Sequence, residues 1–217
     1  MKRMTGIMMI MALATMLTAC GGGGESQVNE TESSNFAVTR AATVVDGPDT
    51  ELYTISLLAI ASSSYAVALN DSGQVIGHYL DADHQINAFQ WQDKTVKTVV
   101  TGGQVRRINN HGQIVGWQEF GQSEAFLYEA DGTMLRLNTL GGGSQAMAIN
   151  DAGVILLKAS GMTGARNLLL DHGVVTDLAN FGSNYAVVND LNSKGQIVGW
   201  MADAAGAMHA FLATPKS

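Results

Sequence analysis

Cysteine is almost absent from this sequence, since Cys20 is the only one in 217 residues. A chain that avoids every other thiol suits a compartment outside the cytoplasm, where stray thiols oxidise. Basic residues are also scarce: 12 Lys and Arg stand against 19 Asp and Glu, for a formal net charge of −7. That charge argues against nucleic acid as a partner, and against attraction to an anionic lipid surface.

Catalytic and metal-binding patterns are lacking as well. Neither a Ser-His-Asp set nor a pair of acid and base carboxylates can be recognised, and Asp81-Ala82-Asp83 lacks the further oxygen ligands of a calcium loop. A metal site needs three or four convergent ligands, whereas the histidines stand in unrelated local contexts. We therefore predict no metal, no cofactor and no catalytic residue. The five histidines are His78, His84, His111, His172 and His209.

The N-terminal apolar run, Ile7 to Leu17, is too short to cross a bilayer as a mature helix. Lys2 and Arg3 precede it, as in an export signal. The run closes on Leu-Thr-Ala-Cys at 17–20, which resembles the lipobox of bacterial lipoproteins. That resemblance implies cleavage before Cys20 and attachment of lipid to its thiol.

We therefore predict a signal peptide over 1–19 and an exported protein that is anchored to the cell envelope through lipid on Cys20. Several acyl chains on one residue suffice for stable membrane attachment. Cleavage removes two basic residues and no acidic one, which takes the side-chain charge from −7 to −9. Gly21 follows the cysteine, and by resemblance to enterobacterial sorting rules this favours the outer membrane or the cell surface.

The segment after the anchor is rich in glycine and small polar residues. It has almost no periodic apolar face and cannot bury enough surface to fold alone. We therefore predict that residues 20–50 comprise the lipidated cysteine and a flexible tether, and that 51–217 form the folded domain.

A nine-residue motif recurs through that domain. Each copy has an asparagine, two residues of variable type and a glycine. This pattern predicts a type I turn followed by a left-handed glycine, which makes a tight β-hairpin. The copies are LNDSGQVIG at 69–77, INNHGQIVG at 108–116, INDAGVILL at 149–157 and LNSKGQIVG at 191–199. Strand-forming residues flank each turn, and two further apolar runs follow in every unit except the last, which has one.

The turn asparagines recur at intervals of 39, 41 and 42 residues. About forty residues and four antiparallel strands per unit are typical of a β-propeller blade. We therefore predict an all-β fold of repeat architecture, a small β-propeller-like array of about four four-stranded blades.

The last unit lacks a fourth strand, whereas residues 51–64 align with the fourth-strand segments of the other units. Pairing of 51–58 with 209–213 would complete the last blade and remove an exposed edge. Three arrangements remain open: a four-bladed disc closed in this way, a twisted open stack of four sheets, and two chains that combine into a larger ring. The oligomeric state is not fixed by the sequence.

The units resemble the HAF repeats of extracellular bacterial proteins, named for a His-Ala-Phe triplet. That triplet stands at 209–211, with Asn-Ala-Phe at 87–89 and Glu-Ala-Phe at 124–126 as near copies. The resemblance covers about residues 51–213 and implies the repeat but no particular activity. The third unit departs most, with Val154, Leu157 and Arg-Asn-Leu at 166–168, and we interpret it as a structural unit.

We expect a binding face in the loops between the second and third strands, because these loops are the longest and most variable. Aromatic side chains beside carboxylates suit a glycan or a peptide of a protein partner. Packing between blades is a second interpretation for Trp117 and Trp200, which follow the motif glycine at matched positions. The candidate ligand-binding residues are Tyr79, Asp81, Asp83, Trp117, Glu119, Phe120, Trp200 and Asp203.

Two classes of function follow from these features. The first is a lipid-anchored, non-enzymatic binding or scaffolding protein of the envelope, which the regular repeat favours. The second is an exported hydrolase or lyase that acts on an envelope polysaccharide, since regular repeats can hide convergent residues. Carboxylates from two loops in one pocket would favour the enzyme.

Overall fold

The computed structural model describes residues 42–45, 51–55, 57–58, 60–61, 63–137, 142–161 and 164–216. The regular secondary structure of this part of the chain is all β-strand apart from one short 3-10 turn at Ala179–Gly182. It contains no helix long and apolar enough to cross a membrane. The predicted signal peptide, Cys20 and most of the predicted tether lie outside the described residues.

Four antiparallel sheets follow one another along the chain, and each corresponds to one repeat unit. The first sheet contains β3 (Ser64–Leu69), β4 (Val75–Leu80), β5 (Ile86–Gln92) and β6 (Thr95–Thr101). The second contains β7 (Gly103–Ile108), β8 (Ile114–Glu119), β9 (Ser123–Tyr128) and β10 (Met134–Arg136). The third contains β11 (Ser144–Ile149), β12 (Ile155–Gly161), β13 (Gly164–Asp171) and β14 (Val174–Asp177). The fourth contains β15 (Ala186–Leu191), β16 (Ile197–Ala202) and β17 (Met208–Ala213).

Closure of the array by its N-terminal strand, one of the three arrangements that the sequence left open, is not found among the described residues. Strand β2 (Glu51–Ile55) pairs with β1 (Ala42–Val45), and the fourth sheet has three strands in the described part of the chain. A hairpin between neighbouring segments closes a much shorter loop than pairing with 209–213, and it therefore costs less chain entropy. The β-branched residues of ATVV supply a suitable partner strand. Strand β1 lies within the segment that was expected to be tether.

Each repeat asparagine shapes its own turn. Asn109 Oδ1 accepts from the backbone N–H of His111 at 3.1 Å and of Gln113 at 2.9 Å, while Gly112 adopts a φ of 78°. The positive φ accounts for glycine at this position. The predicted turn is confirmed in all four units by N–H···O bonds from the glycine to the asparagine carbonyl, at 3.0 to 3.1 Å. The four pairs are Asn70 with Gly73, Asn109 with Gly112, Asn150 with Gly153 and Asn192 with Gly195.

The same asparagines also connect successive units, which the sequence did not reveal. The side-chain amide of Asn70 donates to the backbone carbonyl of Asn109 at 3.0 Å, and Asn109 donates in turn to Asn150 at 3.1 Å. Asn150 continues the series with a 3.1 Å bond to the carbonyl of Asn192. We call this series the asparagine ladder. It fixes the spacing of the four turns because buried amides must be paired.

Apolar side chains fill the space between consecutive sheets. We call the face of each sheet that packs on the next one its forward face, and the opposite face its backward face. The forward face of the first sheet contributes Ile76 and Ala88 to a cluster with Phe126 from the backward face of the second. Two further clusters repeat this arrangement between the second and third sheets and between the third and fourth. The core is therefore divided into three layers between sheets.

The glycine of the second strand and the phenylalanine of the triplet form a matched pair. Gly116 lies opposite Phe126 across β8 and β9, and a Cβ on Gly116 would overlap the carbonyl oxygen of Gln104. Gly77 lies opposite Phe89 and Gly199 opposite Phe211 in the same way. The glycine admits the neighbouring backbone, while the ring fills the space that a side chain would have occupied.

The third unit solves the same packing problem with different residues. Leu157 stands where the others have glycine, and Leu168, which replaces phenylalanine, lies opposite it. Both leucines are fully buried in the cluster between the second and third sheets. The change from phenylalanine to the smaller leucine offsets part of the volume that Leu157 adds on the neighbouring strand.

We expect Asn109→Ala to lower the free energy of unfolding by about 3 kcal/mol, because it removes a buried ladder bond as well as the bonds within its turn. Asn192→Ala is the matched control. Its side chain accepts from the backbone N–H groups of Lys194 and Gln196 and donates to the side chain of Gln196, but it bonds no other unit within the described residues. We therefore expect a loss of about 1 kcal/mol in the free energy of unfolding. Urea unfolding followed by tryptophan fluorescence measures both. Equal losses would contradict a role for the ladder between units.

Candidate functional site

The sheets have two chemically different ends. One end carries the asparagine turns and the hairpins between third and fourth strands, and we call it the turn end. The amide of Gln74 joins these two hairpins in the first unit by a 3.0 Å bond to Gln92 Oε1. Gln113 bonds Glu129 at 3.0 Å, and Gln196 bonds Thr214 at 3.3 Å. The loops between second and third strands lie at the opposite end, the loop end.

Two of the predicted ligand-binding carboxylates shape loops at the loop end. Asp81 Oδ1 accepts from the backbone N–H of Asp83 and Gln85, and Asp203 Oδ1 accepts in the same way from Ala205 and Ala207. The backbone hydrogen bond from Gln85 is the largest cause that lowers the pKa of Asp81. These carboxylates therefore repeat the role of the turn asparagines at the other end of the sheets.

The remaining predicted polar and aromatic residues also lie at or near the loop end. The hydroxyl groups of Tyr79 and Thr98 are 3.1 Å apart, and Glu119 accepts from Ser123 at 2.8 Å. The ring of exposed Phe120 lies under the guanidinium group of Arg136, 4.3 Å from its centroid. Asp83 is exposed. No hydrogen bond joins predicted site residues of different units in the described part of the chain.

Trp117 and Trp200 lie on the forward faces of the second and fourth sheets, opposite Ala125 and Ala210. The third sheet covers the face of the second at Val115 and Ala125, and Trp117 on the same face is partly buried. The face of the fourth sheet is not covered by a further sheet within the described residues. There, the ring of Trp200 lies 5.4 Å from that of Tyr185.

A cavity lies at the turn end, between the second and third sheets, and not at the predicted loops. It measures about 450 Å³, which is within the range of small-molecule sites. Leu127, Ile155 and Leu170 provide its apolar surface. We call it the turn-end pocket. Its other lining residues are His111, Gln113, Glu129, Asp151, Ala152, Gly153, His172 and Gly173.

Val154 of the third unit stands where the other units have the glutamine that joins the two hairpins of the turn end. Its side chain packs against the cluster between the third and fourth sheets and does not line this pocket. Gln113 lines the pocket on the side of the second unit, and His172 and Gly173 line it on the side of the third.

Polar groups from both units surround the pocket and are held in fixed positions. Glu129 accepts from the Gln113 amide at 3.0 Å. Asp151 accepts from the backbone N–H and the side-chain amide of Asn110, at 2.8 and 3.1 Å. His111 and His172 are exposed at the rim. Such a pocket offers fixed acceptors, two imidazoles and an aliphatic surface to one ligand.

Sequence reasoning missed this pocket because its residues belong to turns of two different units. The two rim histidines occupy unmatched positions in their units, and only the stacking of the sheets brings them to one cavity. Within the described residues, no group of three or more His, Cys, Asp or Glu side chains is arranged to hold a metal ion.

One further histidine is buried between units, near the middle of the first sheet. His78 Nε2 accepts from the backbone N–H of Val105 at 2.9 Å, which requires an unprotonated nitrogen. Burial lowers the pKa of His78 below its ordinary value. The imidazole therefore joins the first sheet to the second only in its neutral form.

No protein-family model and no curated protein sequence matches the chain. Among solved structures, it is similar to dipeptidyl peptidase 4 of Porphyromonas gingivalis, with a TM-score of 0.52 and 14% identity. The match covers 75% of this chain and 26% of that protein, so the chain spans about a quarter of its length. At this identity the likeness concerns the fold alone. It supports a β-propeller-like arrangement of the four sheets.

We expect the stability of the protein to fall as the pH drops below about 6.5, the ordinary histidine pKa, because His78 protonates more readily in the unfolded chain. His78→Gln retains an acceptor for Val105 but does not titrate. Urea midpoints measured from pH 7.5 to 5 should therefore fall less in this variant. His84→Gln, at an exposed position, serves as control and should keep the slope of the parent. Equal slopes for the parent and His78→Gln would contradict the assignment.

Proposed function

We propose that this protein is a lipid-anchored binding or scaffolding module of the bacterial envelope, and that it binds a glycan in the turn-end pocket. The HAF-repeat resemblance and the lipobox-like sequence around Cys20 support an exported protein held at the outer membrane or cell surface. The observation that carries the binding role is the pocket itself. Two stacked sheets form its walls, and the bonds from Gln113 to Glu129 and from Asn110 to Asp151 hold its carboxylates in place.

The lining of the turn-end pocket suits a sugar. The aliphatic side chains Leu127, Ile155 and Leu170 can contact the apolar face of a pyranose ring. Glu129 and Asp151 can accept hydrogen bonds from its hydroxyl groups. A pocket of about 450 Å³ has room for one or two sugar residues, which suits a segment of an envelope polysaccharide.

The enzyme alternative, an exported hydrolase or lyase, gains one observation. Glu129 from the second unit and Asp151 from the third line the same pocket, as convergent catalytic carboxylates would. Each carboxylate, however, already accepts hydrogen bonds that hold a turn in place. This use as a fixed structural acceptor favours binding over proton transfer. Release of reducing ends from a bound glycan, abolished by Glu129→Gln, would reverse this preference.

A glycan and peptidoglycan array tests the binding role on protein that lacks residues 1–20. We expect Ala152→Trp to weaken the signal at least tenfold, because an indole at this exposed turn position would fill the pocket. The other units carry serine, histidine and lysine here, so the turn tolerates side chains.

Ser72→Trp is the matched control, since it alters the same turn position in the first unit, away from the turn-end pocket. Its array signal and melting temperature should equal those of the parent. Undiminished binding by Ala152→Trp would place the ligand elsewhere, and a parent protein that binds no glycan would contradict the proposal.

Anchoring requires a separate test in a bacterial host. The precursor should incorporate radiolabelled palmitate and sediment with membranes, because each buried methylene group contributes about 0.8 kcal/mol to attachment. Cys20→Ser should remove the label and release the protein to the soluble envelope fraction. Ser26→Ala, in the neighbouring segment, is the control. Retention of Cys20→Ser in the membrane fraction would argue against a lipid anchor.

A further inference from the structure

The forward face of the fourth sheet is exposed, although the same face is buried in every other unit. Val198 is 43% exposed, whereas its counterparts Ile76, Val115 and Leu156 are all 0% exposed. Leu212 is 61% exposed and Met208 55%. We call this surface the end face, formed by Val198, Trp200, Met208, Ala210 and Leu212.

The first unit shows the complementary exposure. Leu69, at the end of the first strand of the unit, is 71% exposed. Its counterparts Ile108, Ile149 and Leu191 are only 6 to 8% exposed, because each packs on the forward face of the preceding sheet. Leu69 is therefore an exposed apolar side chain at the position that packs on the preceding sheet in the other units.

The end face holds a recess at the matching place. A cavity of about 160 Å³ is lined by Val198, Leu212, Asn192 and Gln196, among others. In the preceding interface, Leu191 lies in one cluster with Leu156 and partly buried Leu169, which are the counterparts of Val198 and Leu212. A leucine in the position of Leu69 would enter this recess as Leu191 enters the interface before it.

The asparagine ladder ends with matching hydrogen-bonding groups. Asn192 at its last step donates to Gln196, and to no other unit in the described part of the chain. Asn70 at its first step accepts at its carbonyl from Gly73, whereas the carbonyls of Asn109, Asn150 and Asn192 each accept a second bond from the preceding unit. A spare donor, the amide of Asn192, thus lies beside the recess, and a spare acceptor, the carbonyl of Asn70, lies beside Leu69.

We propose that the end face binds the first unit of a second copy of this chain, with Leu69 in the recess and Asn192 bonded to the carbonyl of Asn70. The new contact would continue the interface that already occurs three times within the chain. It joins two different surfaces, so it is head-to-tail and forms a ring or a longer array according to the angle between copies. Within one chain both surfaces stay exposed, so its own first unit does not occupy the end face.

Cysteine cross-linking between separate molecules tests this contact. Leu69→Cys and Leu212→Cys are introduced singly into the chain that carries Cys20→Ser, and the two proteins are mixed under mild oxidation. We expect a disulfide-linked dimer in the mixture, at least tenfold more abundant than in either protein alone. Both sites are exposed, and so the substitutions should leave the fold intact, which melting temperatures check.

Val175→Cys mixed with Leu69→Cys is the matched control, because Val175 is exposed on the fourth strand of the third sheet and should not cross-link. Three results would overturn the proposal. The first is a mixture that gives no more dimer than this control. The second is a disulfide within single molecules of a chain that carries both Leu69→Cys and Leu212→Cys, which would place the chain's own first unit on the end face. The third is a Leu212→Cys dimer as abundant as the mixed one, which would show a symmetric contact instead.

Discussion

The pairing of one buried asparagine side chain in each of the first three turns is the constraint on which the architecture depends. Its Oδ1 atom closes the hairpin of its own unit, while its Nδ2 group reaches the carbonyl of the next turn. An ionised carboxylate could do the first but not the second, since it only accepts, and a hydroxyl has one oxygen for both roles, whereas the amide carries its acceptor and its donors on separate atoms. The recurrence of asparagine at intervals of about forty residues therefore reflects two requirements at once. It makes every unit fold alike and sets every unit at the same distance from its neighbour.

The sequence predicted what depends on a single unit. Asn109 and Gly112 indicated a hairpin, and the apolar runs on either side indicated strands, because turn chemistry and alternation act over a few residues. Interactions between units could not be predicted from the sequence in the same way. The bond from Asn109 to Asn150 spans 41 residues, and nothing in either turn alone shows that its amide faces the next. The failed closure by residues 51–55 has the same origin, since alignment of a segment with fourth strands does not show which nearby segment competes for it.

The site illustrates the same limit from the opposite side. Asp81 and Asp203 attracted attention because carboxylates in long loops often bind ligands, and the structure shows a role in turn formation that the sequence reasoning had not considered. The turn-end pocket lies between hairpins of the second and third units, and its polar walls are fixed by the bonds of Gln113 and Asn110. Its residues come from two units, so no single unit of the sequence indicates it.

A repeat that encodes its own interface also has unsatisfied ends. Each internal sheet buries a forward and a backward face, but the fourth sheet has no following unit to cover Val198 and Leu212 in the described part of the chain. The exposed apolar area at such an end carries a free-energy cost that internal units do not bear, at about 25 cal/mol per Å². Natural repeat arrays meet this cost with polar terminal units. Apolar residues at the fourth sheet, where a polar cap would be expected, instead favour a surface that is covered when a second copy binds.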